Sequence, residues 1–205
     1  MSTTDTTTRG RPRDPEVDRS ILEAVAAILA ERGFDGLTME AVAARAGVSK
    51  ASVYRRYACR SQLLETACHA FGPPPREAPD TGSTRDDLVE LLASFAAMIG
   101  ESDVGRVLPA LLGASAANPE AREALGRFTA SRRSPTLEVI RRGIDRGDIP
   151  AATDPDVLAD LLSGAVVFRV LVRGERVSHQ RVETYVEAVL GPGFSAVGSA
   201  VSDPA

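Results

Sequence analysis

Tryptophan is absent from this sequence of 205 residues, lysine occurs once, and cysteine occurs only twice. The two cysteines, Cys59 and Cys68, form neither a disulfide framework nor the spacing of a metal site, which fits a reducing compartment. No apolar run approaches the roughly 18 residues of a membrane span, and no charged-then-apolar secretion signal is present at the N-terminus. We therefore expect a cytoplasmic protein that has no membrane partner and no cofactor or metal.

Aromatic residues make up only 4% of the chain, whereas alanine, leucine, valine and arginine are abundant. This composition favours helices over strands, and an apolar fraction of 43% is sufficient for a core. The sequence contains no phosphate-binding loop, metal triad or nucleophile arrangement, and His69 and His179 are isolated from each other. We therefore predict an all-α protein that is not an enzyme.

Charge is distributed unevenly, although the net charge is only −4. Residues 1–72 carry ten basic and nine acidic side chains, and the remainder carries fourteen and nineteen. The bulk of such a protein would be repelled from DNA, and only local basic patches could face it. The pattern is typical of a small, nearly neutral head on a separate acidic body.

The stretch TMEAVAARAGVSKASVYRRYACR (residues 38–60) has the pattern of two short helices joined by a tight turn. Thr38 is suited to cap the first helix, the glycine at its end favours the left-handed conformation, and Ser49 can cap the second helix. Val53 and Tyr57 are four residues apart and supply the apolar side of that second helix. A glycine-containing turn between two short helices predicts a helix-turn-helix.

The second of these helices carries the chemistry of a DNA-binding surface. Between Ala41 and Leu64 there are five basic residues and no acidic one. A helix N-terminus with such side chains can enter a major groove and meet base edges, while flanking groups hold phosphates. The alternative is a helical hairpin with a solvated basic face. With the apolar side inward, the opposite side would comprise Lys50, Ala51, Ser52 and Arg55, flanked by Tyr54 and Arg56.

The segment GFDGLTMEAVAARAGVSKASVYRRY resembles the DNA-binding domain of the tetracycline-repressor (TetR) family of bacterial transcription regulators, and the resemblance extends from about Arg9 to Phe71. It is carried by Gly-Phe after a first helix, Leu-Thr before the second, Ala-Gly-Val-Ser at the turn and Tyr-x-x-aromatic after it. The loop Ala58-Cys59-Arg60-Ser61 departs from the Pro-Ser-Lys-Glu usual in relatives, but it keeps a positive charge. The resemblance implies base contacts from Lys50, Ala51, Ser52 and Arg55 and phosphate contacts from Thr38, Tyr54, Arg56 and Arg60. Ser49 and Tyr57, which cap and anchor the second helix, complete the candidate DNA-binding residues.

Composition and helix signals divide the chain into four parts. Residues 1–13 are polar, and Arg9, Arg11 and Arg13 suggest either a flexible basic arm for the minor groove or an ordinary solvated terminus. The Pro/Gly-rich segment 72–84 is expected to be a loop or hinge. We assign residues 14–60 to the helix-turn-helix domain, 61–190 to a helical effector-binding and dimerisation domain, and 191–205 to a flexible tail.

Aspartate or asparagine followed by proline marks predicted helix starts at Asp14, Asn118 and Asp154. The helix after Asn118 is expected to extend to about residue 146, with a kink or break at Ser134-Pro135. The helix after Asp154 is expected to continue to about Val172. Five or six such helices after the head indicate a helical bundle.

Residues 132–174 resemble the C-terminal domain of one branch of TetR regulators. The resemblance implies a pocket for a small-molecule effector inside the bundle and a homodimer formed by the last two long helices. The helix 155–172 is apolar nearly all round, which suits a dimer interface, although an internal core helix would have the same pattern. Two-fold symmetry also suits a palindromic operator.

Candidate pocket residues are the larger apolar side chains of the body and one arginine. Arg169 interrupts the apolar run VVFRVLV, and because a buried charge must be paired, it either bonds a carboxylate of the fold or dimer or meets an anionic ligand. Cys59, next to Arg60, could form a redox-sensitive thiolate. The apolar candidates, each of which could instead be an ordinary core residue, are Phe95, Met98, Phe128 and Phe168.

Together these features predict a homodimeric, ligand-responsive regulator that binds a double-stranded DNA operator and acts as a repressor released by its effector. The competing hypothesis is a helical ligand- or protein-binding dimer whose DNA-binding head is degenerate.

Overall fold

The computed structural model describes residues 14–74 and 76–191, and over these ranges the chain forms α-helices, one short π-helical segment and no strand. This confirms the all-α prediction. The predicted basic arm (residues 1–13) and residues 192–205 of the predicted tail lie outside the described residues. None of the described helices combines the length and apolar composition needed to cross a membrane. The helices are α1 (Pro15–Arg32), α2 (Met39–Ala46), α3 (Lys50–Tyr54), α4 (Arg60–Phe71), α5 (Thr84–Glu101), α6 (Val104–Ser115), α7 (Pro119–Arg146), α8 (Pro155–Val167) and α9 (His179–Leu190), with the π-helical segment Phe168–Val172 directly after α8.

The predicted start signals act as helix caps. The Asp14 carboxylate accepts a hydrogen bond from the Glu16 N–H at 3.0 Å, and Asn118 and Asp154 cap α7 and α8 in the same way. Proline occupies the first helical position after each cap, where its missing N–H has no helical partner to lose. Each cap stabilises its helix by about 1 kcal/mol.

The predicted helix break at Ser134-Pro135 does not occur, because α7 is continuous from Pro119 to Arg146. A kink there, the other predicted alternative, stays a prediction. A proline inside a helix costs about 3 kcal/mol, since it removes one hydrogen bond and crowds the preceding turn. Phe128 before the proline and Val139 and Ile140 after it are buried in the same core. Their packing offsets the local cost and keeps both halves of α7 helical.

The helix-turn-helix head and the body share one hydrophobic core. This core extends from Ile21 in α1 through Leu63 in α4 to Val186 in α9, all of which are fully buried. The head is therefore joined to the body by apolar packing as well as by the chain.

Ion pairs follow the line along which α4 lies against α7. Arg60 Nε donates to Glu120 Oε2 at 2.8 Å, and Arg127 Nε donates to Glu65 Oε2 at 2.5 Å. Because these pairs are partly exposed, each contributes no more than about 1 kcal/mol to stability. Their effect is to fix the register of α4, which leads out of the head, against the longest helix of the body.

The segment predicted as a hinge is a loop in its described part, but its C-terminal half is fastened to the body. The buried Asp87 carboxylate accepts hydrogen bonds from the Thr81 hydroxyl at 2.7 Å and from the Thr81 N–H at 3.0 Å. Arg146 Nη1 lies 3.1 Å from the Asp80 carboxylate, and Arg142 donates to the Pro79 carbonyl. These bonds tie residues 79–81 to α5 and α7.

Candidate nucleic-acid interface and ligand cavity

Helices α2 and α3 form the helix-turn-helix that the sequence predicts. Gly47 ends α2 with a φ of 68°, and the N–H of Val48 donates to the Ala43 carbonyl at 3.0 Å. Ser49 begins α3, because its hydroxyl accepts a hydrogen bond from the Ser52 N–H at 3.1 Å. Val53 is fully buried beneath the helix. The opposite side of α3 therefore faces outward.

The outward side of α3 presents the side chains to which the family resemblance assigns base contacts. Lys50, Ala51 and Arg55 are exposed, and Ser52 is half-buried between them. Arg55 Nη2 lies 3.5 Å from the Ser52 hydroxyl, so these two groups share one surface. Tyr54 is 49% exposed. The structure thus brings these five predicted residues together on one short, accessible helix.

Thr38 and Lys50 are exposed and have only weak ties within the protein. The Thr38 hydroxyl caps α2 by accepting from the Ala41 N–H at 3.0 Å, and it can still donate its own proton. Lys50 Nζ lies 3.4 Å from Glu40 Oε1. The backbone N–H of Glu40 and the Lys50 ammonium lower the pKa of the Glu40 carboxyl. Because the Lys50–Glu40 ion pair is exposed, it contributes little to stability. Lys50 can therefore leave Glu40 and bind a base or a phosphate of DNA instead.

Three predicted DNA-binding residues make contacts within the protein. The Arg56 side chain is 8% exposed, with Nε 2.5 Å from Asp18 Oδ1 and Nη1 donating to the Ser52 carbonyl at 3.2 Å. Arg60 pairs with Glu120, as described above, and its guanidinium also lies 4.3 Å from the centre of the Phe34 ring. Tyr57 is buried. Both arginines therefore hold a carboxylate within the protein, and their contacts to phosphates stay a prediction.

Cys59 is exposed at the start of α4, and its surroundings lower the pKa of its thiol. The first cause is the Ser61 hydroxyl, which lies 3.2 Å from the sulfur, and the backbone N–H groups of the helix start add to it. Cys68 is buried, and burial raises the pKa of its thiol to about 12. Redox sensitivity of Cys59 stays a prediction.

A cavity of about 320 Å³ lies in the body between α5, α6, α7 and α8. Its walls are mainly apolar, and most of its polar lining comes from α7. Two predicted pocket residues, Phe95 and Phe128, line it. Its other lining residues are Leu88, Leu91, Leu92, Leu108, Leu112, Leu125, Thr129, Arg132, Arg133, Thr136, Ala159, Asp160, Leu162, Ser163 and Val167.

The other three predicted pocket residues lie elsewhere. Met98 is buried and borders a separate small cavity of about 40 Å³. Phe168 is 54% exposed and lies on the same side of α8 as the exposed Val157 and Leu161. Arg169 forms an ion pair with Glu175, which is six residues further along the chain. Of the two alternatives for Arg169, pairing within the fold is the one found.

Comparison with known proteins agrees with this arrangement of head and body. The family described as "Bacterial regulatory proteins, tetR family" matches residues 21–67, and "Tetracyclin repressor-like, C-terminal domain" matches residues 78–189. The chain is 31% identical to the uncharacterized HTH-type transcriptional regulator YdeS of Bacillus subtilis, over 87% of this chain and 90% of that protein. This chain belongs to the TetR family.

Solved structures show the same fold. The TetR family transcription regulator SCO0332 is 32% identical and has a TM-score of 0.62, over 85% of this chain and 97% of that one. FadR of Bacillus subtilis, crystallised in complex with stearoyl-CoA, has a TM-score of 0.63 at 14% identity, over 85% of this chain and 98% of its own. As a TetR regulator, the protein is a DNA-binding regulator of transcription and not an enzyme.

The polar lining of the TetR regulator's cavity is what sequence reasoning missed. Thr129, Arg132, Arg133 and Thr136 recur on α7 at intervals of three, one and three residues, so they form one stripe on one side of the helix. A polar stripe with this spacing usually marks the solvent side of a helix. The sequence therefore shows the spacing of these polar residues, but it does not show that they face a cavity and not solvent.

The two arginines of this stripe have different surroundings. Arg133 Nη2 lies 3.0 Å from Asp160 Oδ1 and 3.2 Å from Asp156 Oδ1, so its charge is balanced. Arg132 lies over the Phe128 ring, with 5.4 Å between its guanidinium carbon and the ring centre. Its Nε and Nη2 are buried and have no hydrogen-bond partner in the described part of the chain. Burial lowers the pKa of Arg132.

Proposed function

We propose that this TetR regulator binds a palindromic double-stranded DNA operator as a homodimer and represses transcription until a small molecule occupies the cavity of the body. The observation that carries the DNA-binding half of the proposal is the outward side of α3, where Lys50, Ser52 and Arg55 share one accessible surface. Acidic side chains are absent from residues 41–64, so nothing in that stretch repels the phosphate backbone.

On this surface the roles divide between bases and phosphates. Arg55 can donate two parallel hydrogen bonds to a guanine, and Lys50 and Ser52 can donate to base acceptors. Ala51 is small enough to let the helix approach or to contact a thymine methyl group. Tyr54 and Thr38 are placed at the exposed flanks, where hydroxyl groups commonly bind phosphates.

Homodimerisation is supported by an apolar row on α8 and the π-helical segment. Val157, Leu161, Phe168 and Val172 are between 43% and 68% exposed. Their spacing of four, seven and four residues places them on one side of the helix. Exposed large apolar side chains in one row are typical of a protein interface. A second copy related by a two-fold axis would cover this row with its own, and the same axis would present two α3 helices to two half-sites.

The link between cavity and head is the contact of α4 with α7. Helix α7 lines the cavity with one stripe and holds α4 through the Arg60–Glu120 and Arg127–Glu65 pairs. A ligand that shifts α7 or its side chains therefore acts on the helix that leaves the head. FadR, which has the same fold, was crystallised with stearoyl-CoA, and that complex is a precedent for a small molecule held by this fold.

The DNA-binding proposal is tested by replacing Arg55 with alanine. We expect Arg55→Ala to lose about 1–3 kcal/mol of discrimination at one base position of the operator, because a bidentate contact to one base is removed. The operator would be found by selection from fragments of the genome that encodes the protein and measured by fluorescence anisotropy. Arg19→Ala, an exposed arginine on α1, is the control and should bind like the wild type.

Two outcomes would contradict the DNA-binding proposal. If Arg55→Ala discriminates as the wild type does, α3 is not docked as described. If the selection recovers no specific sequence at all, the competing hypothesis of a ligand- or protein-binding dimer with a degenerate head is favoured.

The dimer proposal is tested by replacing Leu161 with glutamate. The new charge would be buried without a partner in the two-fold interface, so we expect Leu161→Glu to sediment as a monomer at concentrations where the wild type is a dimer. Ala30→Glu adds the same charge at an exposed position on α1 and should leave the dimer intact. A dimeric Leu161→Glu variant would place the interface elsewhere.

A further inference from the structure

Arg132 is an internal arginine of the body to which the fold gives no acidic partner. It projects from α7 at the border of the large cavity and of the small cavity next to it. Its Nε and Nη2 are buried without a hydrogen-bond partner among residues 14–74 and 76–191. No carboxylate of those residues lies within ion-pair distance of it, and its one aromatic contact is the Phe128 ring.

Among the charged side chains that line the large cavity, Arg132 differs from the others because it forms no ion pair with a described residue. The charged side chains that line the cavity are Arg132, Arg133 and Asp160. Arg133 is held by Asp160 and by Asp156 at the rim. Because Asp156 is outside the cavity lining, the three charged groups that line the cavity sum to +1. Arg133 shares its charge with carboxylates, so the positive charge that has no carboxylate partner among the described residues is that of Arg132.

A charged group with buried and unsatisfied N–H donors is costly unless something else supplies the acceptors. The Phe128 ring offers partial compensation through its negative face, but it does not neutralise the charge. A carboxylate in the cavity can do so, because a guanidinium donates charge-assisted hydrogen bonds to carboxylates. The remaining walls, which include Leu88, Phe95 and Leu125, favour an apolar body on the same molecule.

From this geometry we infer that the effector is an apolar small molecule with a single carboxylate, whose oxygens pair with Arg132 while its apolar part fills the cavity. The inference rests on the proposed function only in that it takes this cavity as the effector site. It adds the chemical class of the effector and the residue that recognises it.

The position of Arg132 would also bring the carboxylate of the effector close to α4, the helix that leads out of the head. A side-chain carbon built at Gly72, just after α4, would lie 3.3 Å from Arg132 Nη2 and 3.5 Å from the Cys68 carbonyl. The arginine thus faces the C-terminal end of α4, where a positive charge is favourable. A carboxylate that binds Arg132 would weaken that interaction, so occupancy of the cavity would be felt by α4.

The test uses decanoate as the probe and decan-1-ol as its uncharged counterpart, with the full-length protein in the absence of DNA. Isothermal titration calorimetry should show that decanoate binds the wild type and that decan-1-ol binds at least roughly tenfold more weakly, the usual effect of a lost charge-assisted hydrogen bond. Arg132→Gln should weaken decanoate by a similar factor. Arg132→Lys, which keeps the charge but not the fork, should bind with intermediate affinity.

Arg141→Gln is the matched control, because Arg141 is on the same helix and exposed. It removes the same charge from the protein without touching the cavity, and we expect its affinity for decanoate to equal that of the wild type. Equal binding of decanoate and decan-1-ol, equal binding by Arg132→Gln and the wild type, or no binding of decanoate would each overturn the inference.

His69 provides a second measurement that does not depend on any variant folding. Its ring makes an edge contact with Phe128, at 5.3 Å between ring centres. Burial lowers the pKa of His69, and the nearby Arg132 charge lowers it further. Neutralising Arg132 with decanoate should raise the pKa of His69 in an NMR titration, whereas decan-1-ol should not. The only other histidine, His179, lies on α9 and serves as the internal reference. An unchanged His69 pKa on saturation with decanoate would also overturn the inference.

Failure of the inference and failure of the proposed function give different results. If decanoate binds through Arg132 but the operator complex is unaffected, the anion site stands and the effector role of the cavity fails. If the operator is bound specifically but decanoate binding ignores Arg132, the regulator stands and the anion site fails.

Discussion

The head and the body each contain an arginine inside the protein, and the fold treats the two differently. Arg56, just after α3, is held by Asp18 of α1 at 2.5 Å. Arg132, in the body, has the Phe128 ring and apolar walls around it but no carboxylate partner in the described residues. The head thus uses its internal charge to fasten α3 to α1, whereas the body keeps a charge unbalanced beside a cavity.

The difference shows that the partner of a buried charge decides its role. An arginine next to a recognition helix is expected to bind DNA, yet Arg56 holds the fold together. An arginine in a polar stripe of a helix is expected to face water, yet Arg132 faces a cavity. The partner of Arg56 comes from α1, and the cavity beside Arg132 is walled by α5, α6 and α8 as well as α7, so local sequence displays neither.

The largest effect should come from removing the partner of Arg56. We expect Asp18→Ala to lower the free energy of unfolding by about 2 kcal/mol, because it leaves a nearly buried guanidinium without its carboxylate. Urea denaturation measures this change. Glu23→Ala, one turn away on the exposed side of α1, should change stability by no more than about 0.5 kcal/mol. Equal effects of the two substitutions would mean that the Arg56–Asp18 pair does not stabilise the head.

A smaller effect is expected when Arg132 itself is replaced. Arg132→Gln removes a buried charge without leaving a carboxylate unpaired, so the free energy of unfolding should change by less than about 1 kcal/mol or increase. Arg56→Gln, measured in the same urea series, should be clearly destabilised because it strands Asp18. If Arg132→Gln were as unstable as Arg56→Gln, Arg132 would have a structural partner and the comparison between head and body would fail.

The smallest effect concerns the pH dependence of stability at His69. Burial first, and the Arg132 charge second, lower the pKa of His69 in the folded protein, although Glu65 acts in the opposite direction. The unfolded chain, with a histidine pKa of about 6.5, then binds more protons than the folded one. Stability contributed by this site is therefore complete above that pKa and decreases as the pH falls through it towards the lower folded value.

His69→Gln should flatten this part of the curve of unfolding free energy against pH, measured by urea denaturation from neutral to mildly acidic pH. His179→Gln, at an exposed position on α9, should leave the curve as it is. A curve that flattens only in the His179 variant would show that the charge beside Phe128 does not affect His69.

Much of the fold follows from local rules. The caps at Asp14, Asn118 and Asp154 and the left-handed Gly47 are set by residues within one helical turn, so their positions could be predicted from the sequence. Pro135 shows the limit of such rules. Its local preference against a helix was overridden because buried residues on both sides of it pack into one core.

Of the two candidate sites, the DNA-binding surface follows from local rules in the same way, and the cavity does not. The outward side of α3 follows from the periodicity around Val53, and the structure places Lys50, Ser52 and Arg55 where that periodicity indicates. The cavity was not predictable in detail, since Phe168 and Arg169 have the right chemistry in the wrong place. Which side of α8 faces the bundle depends on where the other helices pack against it, and the local sequence pattern does not show that.

The sequence by itself therefore determined the all-α class, the capped helix starts and the helix-turn-helix, because each depends on interactions within a few residues along the chain, and its motifs indicated the family. Only the tertiary structure decided which arginines are free to bind something else. Asp18 reaches Arg56 and Glu120 reaches Arg60 across gaps of 38 and 60 residues, while no carboxylate of the described chain reaches Arg132. The availability of a charge is set by what the packing of other helices brings to it, and that packing is a property of the whole fold.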